Sequence, residues 1–377
     1  MDKKLFSTLF NFQKKSKIKA GDGLILEDGN YPFYTSSDTL TKSLNDYLFE
    51  EESLIFGTGG KASVHYCDGK FAVSTDCFVC QPTSKTDTFA KFVFYYLSGN
   101  IHLLEEGFKG AGLKHISKDY LSNLKIPLPP LDTQKKIAAI LDEAEKLRQL
   151  DKKLIEKYDV LTQSLFVEMF GDPVSNPKGW ESKKLGDLGN FKNGLNYTKT
   201  KNGIKVKILG VGDFKDYWEI SDYNSLSTIE IESFPSDGFL LENGDLVFVR
   251  SNGNKDLVGR CLITYPNGEK VTFSGFCIRF RKNNLDLNEL YLVQLMRNKL
   301  FKKHIFKNGR GANIQNINQD LLSNVEIQLP PIDLQNQFAE RAQAIEAQKA
   351  QAHQSLQKSE ELFNSLLQKA FKGELIN

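Results

Sequence analysis

A long stretch of this chain occurs twice. Ile126 to Phe170 reads IPLPPLDTQKKIAAILDEAEKLRQLDKKLIEKYDVLTQSLFVEMF, and Ile327 to Phe371 reads IQLPPIDLQNQFAERAQAIEAQKAQAHQSLQKSEELFNSLLQKAF. The two align without a gap, each second-copy residue standing 201 positions after its counterpart. Matches include Ile126/Ile327, Pro129-Pro130/Pro330-Pro331, Asp132/Asp333, Gln134/Gln335, Ser164-Leu165/Ser365-Leu366 and Phe170/Phe371, and they extend upstream to Gly110-Ala111/Gly311-Ala312 and Asp119/Asp320. A repeat of this length means two copies of one architectural unit.

Each copy reads as a proline-stiffened lead-in to a long helix. A residue before proline avoids the α region, so the Pro-Pro pair holds the chain extended. Asp132 is the expected N-cap, its carboxylate accepting from the free amides of the first turn. Apolar residues then recur at Ile137, Ile140, Ala144, Leu147, Leu150, Leu154, Tyr158, Leu161, Leu165 and Met169, in steps of three and four. That predicts one narrow seam for a partner helix, ended by Gly171-Asp172-Pro173. The second seam, Phe338, Ala342, Ile345, Ala352, Leu356, Phe363, Leu366 and Ala370, is padded with Ala and Gln. Helices of this length rise to ~60 Å. Neither buries its seam alone, so an antiparallel pair is expected, with a domain at each end. The alternative is that each helix packs only on its own domain.

The segments before the helices are rich in short β-type runs. YPFYTSS, SLIFGT, SVHYC and KFAVSTDCFVC fall before residue 131, separated by turn signals such as Glu27-Asp28-Gly29-Asn30 and Cys67-Asp68-Gly69-Lys70. TFAKFVFYYLS, Thr88 to Ser98, reads as a buried helix. The segment from 173 to 331 echoes the first: NGDLVFVRS resembles EESLIFGTG, NGEKVTFSGFCIRF resembles DGKFAVSTDCFVC, and Asn288 to Phe306 is again helical in pattern. The expectation is an α+β chain with an internal pseudo-two-fold repeat: a mixed, β-rich domain over 1–131, a helix over 132–172, a second β-rich domain over 173–331 and a second helix over 332–377.

Composition bounds the partners weakly. With 377 residues, 40% hydrophobic, there is material for two or three cores, and a net charge of +2 does not by itself mark a nucleic-acid binder. A basic face can still sit among acidic ones. The start, MDKKLFSTLFNFQKKSK, has no signal-peptide apolar region, and no run approaches the ~20 apolar residues of a membrane span. An odd count of five cysteines argues against a disulfide framework. A cytoplasmic protein with reduced thiols is expected.

Most chemistry-bearing motifs fail on spacing. Phe108-Lys109-Gly110-Ala111-Gly112 fits F-x-G-x-G, a methyltransferase cofactor turn, but no Asn/Asp-Pro-Pro-aromatic motif follows, and its repeat partner Gly309-Arg310-Gly311-Ala312-Asn313 breaks the pattern. Phe56-Gly57-Thr58-Gly59-Gly60-Lys61 fails the phosphate-loop spacing, with Ile55 at the first glycine position and Ala62 after the lysine. Cys77 and Cys80, with His65 and Cys67 upstream, have zinc-like types. They lie on an expected strand, where residues three apart face opposite ways. Structural cysteines are the better reading, and no metal, cofactor site or catalytic constellation is expected. The loops before each helix remain: Lys109-Gly110-Ala111-Gly112-Leu113-Lys114-His115 and Lys307 to Asn316. Both combine glycine, positive charge and amide or imidazole side chains, which suits phosphate contact. A solvated surface turn is the competing reading for either loop alone.

Two β-rich domains, each followed by LPPLxxQ or LPPIxxQ and a long helix, with Gly-Asp-Pro and Pro-x-Gly-Trp between the halves, resemble the specificity subunit of a type I restriction–modification system. The resemblance covers essentially the whole chain, and YPFYTSS, FGTGG and VRSNG…VGR also resemble target-recognition sequence. It implies that each domain reads one half of a split, asymmetric double-stranded DNA target. The helices would set the spacer and dock two methyltransferase subunits, which carry S-adenosylmethionine and flip the target adenine. Two restriction–translocase subunits, with ATP and Mg, would complete the assembly. Catalysis would reside in those partners. Alternatives are the recognition subunit of a modification-only complex and a stand-alone methyltransferase.

Under that resemblance the DNA-contacting candidates of the first domain are Tyr34, Thr35, Ser36, Ser37, Lys61, His65, Lys109, Lys114 and His115. The first domain has no arginine, so the common bidentate arginine–guanine contact is closed to it. The second offers Arg250, Asn252, Asn254, Arg260, Lys307, Arg310, Asn313 and Gln315. Candidates for helix pairing and subunit docking are Ile137, Leu147, Leu154, Leu161, Leu165, Phe338, Ile345, Leu356, Phe363 and Leu366.

Overall fold

The computed structural model of the chain describes residues 2–110, 112, 114–198, 200, 202–214, 217–220, 222–254, 257–307 and 316–376. The two repeats are helices over Leu131–Phe170 and Ile332–Lys372. The chain divides into two compact units, Met1–Lys153 with Ala352–Asn377, and Leu154–Gln351. The division cuts both helices, so each unit holds one β-rich domain and one end of each helix.

In the first unit the main sheet has the order Phe10–Phe12, Cys77–Pro82, Ser53–Gly57, Val64–Cys67. The central strand is buried on both faces, so its apolar run does not alternate. Leu54 and Phe56 face a core shared with the Ala90–Gly99 helix and with Ile137, Ala138 and Leu141 of the first long helix. Ile55 faces a smaller core with Phe71 and Val79. Cys77 lies in that smaller core and Cys80 in the larger, on opposite faces of their strand as expected. The end of the second long helix closes the larger core: Phe371 packs on Phe92 and Tyr96 (ring centroids 5.6 and 5.1 Å), beside Leu367 and Ala370.

The second unit repeats the plan. Its sheet runs Gly189–Asn193, Cys277–Lys282, Asp245–Val249, Cys261–Thr264, Glu219–Ile220. Leu246 and Phe248 face the helix side, and Val247 and Val249 the other. The helical stretch expected over 288–306 is two helices, Glu289–Arg297 and Lys299–Lys307, because Asn298 turns the chain and its Oδ1 accepts from Leu300 and Phe301 N–H. Phe166 and Phe170 of the first long helix meet Phe338 of the second and Tyr291, with ring centroids 4.7–5.6 Å apart.

Within each unit the two helix segments run antiparallel. In the first, Ser359 Oγ donates to Asp151 Oδ2 at 2.9 Å and Arg148 lies 3.8 Å from Glu360, its guanidinium 4.7 Å from the Phe363 ring centroid. In the second, Lys349 pairs with Asp159 at 2.6 Å. Arg148 and Lys349 are repeat counterparts, as are Asp159 and Glu360. Each cation therefore pairs with the acid of the other copy.

Two helix-level expectations need correction. The first helix begins at Leu131, which puts Asp132 in its first turn rather than at the N-cap. There a carboxylate still sits favourably against the helix dipole. The seam is also displaced. Leu147, Leu150, Leu154 and Leu161 are 49, 53, 40 and 48% exposed. The inward stripe instead runs through Gln134, Ile137, Leu141, Ala144, Arg148, Asp151, Ile155, Tyr158, Thr162, Phe166 and Met169. Both stripes have steps of three and four, and periodicity alone does not choose between adjacent heptad frames.

The repeat glutamine has a structural role that the sequence reading lacks. Gln134 is fully buried. Its Oε1 accepts from Phe89 N–H (2.9 Å), and its Nε2 donates to Asp87 O (2.9 Å) and Pro129 O (2.8 Å). Gln335 repeats this with Asn288 N–H (2.9 Å), Asp286 O (2.8 Å) and Pro330 O (2.7 Å). One amide thus ties the proline lead-in to the loop before the short buried helix, in both units. The Gly-Asp-Pro…Trp segment caps the first long helix. Gly171 takes φ +84°, Lys178 Nζ donates to Glu168 O and Met169 O, and Trp180 Nε1 donates to Phe170 O at 2.9 Å.

Candidate nucleic-acid interface

The sheet's central strand ends, in each unit, in a hydrogen-bonded frame. In the first unit Thr58 N–H donates to Asp76 O (2.9 Å), and Ile116 N–H donates to Thr58 O (3.1 Å). Gly59 bridges to His115. In the second unit Arg250 N–H donates to Phe276 O (2.8 Å), and Ile317 N–H donates to Arg250 O (2.9 Å). Ser251 bridges to Asn316. The turn before the next strand is the same serine turn twice: Asp76 N–H donates to Ser74 Oγ (3.2 Å), and Phe276 N–H to Ser274 Oγ (3.3 Å). The sequence therefore builds one backbone platform twice.

The structure gathers several first-domain candidates at that platform. Ser36 Oγ and Thr58 Oγ1 both donate to Asp76 O, at 2.8 and 3.0 Å. His65 Nε2 lies 2.8 Å from Ser37 O, and burial lowers the imidazole pKa. His115 Nδ1 lies 3.1 Å from Thr58 O, and its backbone pairs with Lys109 in both directions. Lys61 pairs with Asp38 at 2.7 Å; the pair is exposed, its hydrogen bond lowering the Asp38 pKa and raising that of Lys61. An exposed pair of this kind is worth little and yields readily to another anion. Thr35 Oγ1 accepts from Ser37 N–H (3.3 Å), and Lys114 is exposed. Tyr34 differs from its expected place. Its ring is buried against Phe71, 5.9 Å between centroids, and desolvation raises the phenol pKa well above normal. It supports the turn from below instead of presenting its hydroxyl.

In the second unit Arg250 Nη1 reaches Gly275 O at 3.4 Å, and Asn252 Oδ1 accepts from Asn254 N–H at 2.7 Å. Arg260 stands apart from this turn group. It donates to Phe214 O (3.2 Å) and lines a cavity of about 430 Å³ with Trp218, Arg297, Lys349 and Phe166. Arg310, Asn313 and Gln315 lie outside the described residues, as does the Lys307 side chain. Of the helix candidates, Ile137 and Phe338 are buried; Leu165, Ile345, Leu356, Phe363 and Leu366 are half-buried; Leu147, Leu154 and Leu161 are exposed.

Sequence reasoning passed over Asp76 and Phe276, which the structure places at the same turn of the two platforms, and it took Asn316 only as the last residue of the second glycine-rich loop. The signal was available in the aligned runs KFAVSTDCFVC and VTFSGFCIRF, whose shared Ser-x-x-Cys places Asp76 opposite Phe276. Among the described residues no group of three or more His, Cys, Asp or Glu could hold a metal ion, and no helix is long and apolar enough to cross a membrane.

Known proteins share this architecture. A 24% identical relative, the type I restriction enzyme EcoDI specificity subunit of Escherichia coli, aligns over 92% of this chain and 83% of its own. The MjaVIII specificity subunit of Methanocaldococcus jannaschii is 28% identical over 68% of this chain, and the StySPI specificity subunit of Salmonella potsdam 29% over 71%. The matches span 63 and 61% of those two relatives, somewhat less than two thirds of their length. The crystal structure of a type I restriction–modification S subunit from M. genitalium superposes with a TM-score of 0.61 at 16% identity, covering 98% of this chain and 95% of that one. The family model described as "Type I restriction modification DNA specificity domain" matches residues 5–157 and 177–362, one match for each β-rich domain with helix sequence after it. Two matches that together cover most of the chain, with a shared fold beside them, place this chain in the type I restriction–modification DNA specificity family.

Proposed function

We propose that the chain is the DNA-recognition component of a type I restriction–modification assembly, each β-rich domain reading one half of a bipartite, asymmetric double-stranded target. The observation that carries this is the duplicated platform: one backbone frame displays Thr58, Asp76 and His115 in one unit and Arg250, Phe276 and Asn316 in the other. A shared frame with different side chains is what two related readers of different half-sites require, since backbone geometry positions and side chains specify. The helices set the spacer. The exposed Leu147 and Leu150 of the first unit and Leu154 and Leu161 of the second suit docking of partner subunits, because single-sided apolar heptads favour helix packing. Two methyltransferase subunits bind there and carry S-adenosylmethionine and the adenine chemistry. Two restriction–translocase subunits bring ATP and Mg. This chain holds no cofactor and performs no catalysis.

A domain exchange tests the reading. Replacing residues 173–331 with a second copy of residues 1–131, and co-expressing the product with the methyltransferase subunit, should give methylation at a symmetric site made of the first half-site twice. Methylation that kept the original second half-site would refute it.

A further inference from the structure

The duplicated platform leaves one exposed side chain per unit at its outer turn, and these two differ most in chemistry. Phe276 is 63% exposed although it is a large apolar residue. Its backbone is fixed from both sides: the carbonyl accepts from Arg250 N–H, the amide donates to Ser274 Oγ, and Gly275 N–H donates to Leu195 O at 2.9 Å. A Cβ on Gly275 would stand 2.0 Å from Asn196 Oδ1, so the turn is also closely backed by a side chain. The phenyl ring is thus displayed from a rigid turn. Asp76 takes the corresponding place, exposed, with its carbonyl accepting from Thr58 N–H, Thr58 Oγ1 and Ser36 Oγ.

Chemistry separates what these positions can read. A carboxylate accepts from an exocyclic amine, as cytosine offers in the major groove, and repels phosphate. A phenyl ring has no hydrogen bond to give. It gains affinity from an apolar base surface, either a thymine methyl or the face of an unstacked base. Preorganisation matters in both cases, because a side chain on a fixed turn loses little freedom on contact.

We propose that positions 76 and 276 are equivalent base-contacting positions of the two halves. Phe276 reads an apolar base surface in the second half-site, and Asp76 reads an amine-bearing base in the first. This rests on the DNA-recognition reading above.

The test uses the full chain assembled with its methyltransferase subunit and a randomised duplex pool, followed by competition titration on the selected sequence. Phe276→Ser should weaken binding to the selected site roughly tenfold and relax preference at one base position of the second half-site. The first half-site preference and the salt slope of binding should stay as they were, since no phosphate contact is lost. Phe276→Leu should retain most of the preference. Asp76→Ala should relax a single position of the first half-site only. Thymine-to-uracil replacement in the second half-site separates the two apolar surfaces: loss of affinity identifies the methyl, and unchanged affinity identifies the base face. If a sequence-selective wild-type complex keeps its affinity and both preferences in Phe276→Ser, the assignment is overturned while the recognition reading stands. A wild-type complex that selects no sequence removes both.

Discussion

Replacing Gln335 by leucine isolates what the repeat glutamine contributes. The side chain is fully buried and makes three hydrogen bonds, all to backbone, at 2.7–2.9 Å. Leucine fills similar space but leaves the Asn288 amide and the Asp286 and Pro330 carbonyls without that partner. A buried polar group left unpaired costs ~1–3 kcal/mol. Two of the three bonds are only part-buried, where water restores some of the loss, and burying leucine in place of an amide returns about 1 kcal/mol. The net expectation is a destabilisation of roughly 2–4 kcal/mol, a fall in Tm of about 5–12 °C for a unit of this size. Differential scanning calorimetry and urea denaturation check it, with the exposed Glu340→Ala as control. Gln134→Leu should do the same to the unit containing Met1–Lys153. A loss below ~0.5 kcal/mol would show that the proline lead-in is held by its own stiffness, and the clamp argument would fail.

Two further outcomes follow from the same geometry. Inserting seven residues after Lys153 and seven after Gln351, where the two units divide, keeps the pairings Arg148–Glu360 and Asp159–Lys349 and adds ~10 Å of helix. Methylation mapping should then report a spacer longer by ~3 base pairs at ~3.4 Å per step, with both half-sites unchanged; an active complex with the original spacer would count against the helices as a ruler. Burial lowers the His65 pKa, so the folded state favours neutral imidazole. The stability this group contributes is present above its unfolded value of ~6.5 and is lost as pH falls through the lower folded value. His65→Gln should therefore flatten the acid side of the stability–pH curve, and equal slopes for variant and wild type below pH ~6.5 would exclude the imidazole as its source.

Much of this molecule is legible in its sequence because repetition is a one-dimensional property. The 201-residue offset fixes two units, two helices and their order without any coordinates. The long threes-and-fours pattern over 131–170 means helix whichever face is inward, and the Ser-x-x-Cys runs align the two platforms. The strand through Cys77 and Cys80 is likewise decided by local geometry, since period two alone sends the thiols to different cores. What the tertiary structure decided is which surfaces meet. Leu147, Leu154 and Leu161 and the stripe through Arg148, Ile155 and Thr162 share one periodicity. Only the packing of Phe166, Phe170 and Phe338 around Tyr291, with Ile137 and Leu367 in the other core, sets the rotation that turns the leucines outward. Tyr34 went the same way. Its place in the YPFYTSS turn made it a contact candidate in the sequence, and packing against Phe71 made it core. The physical reason is common to all of these. Local pattern specifies the element, but which of its faces is buried is settled by the summed fit of residues far apart in the chain.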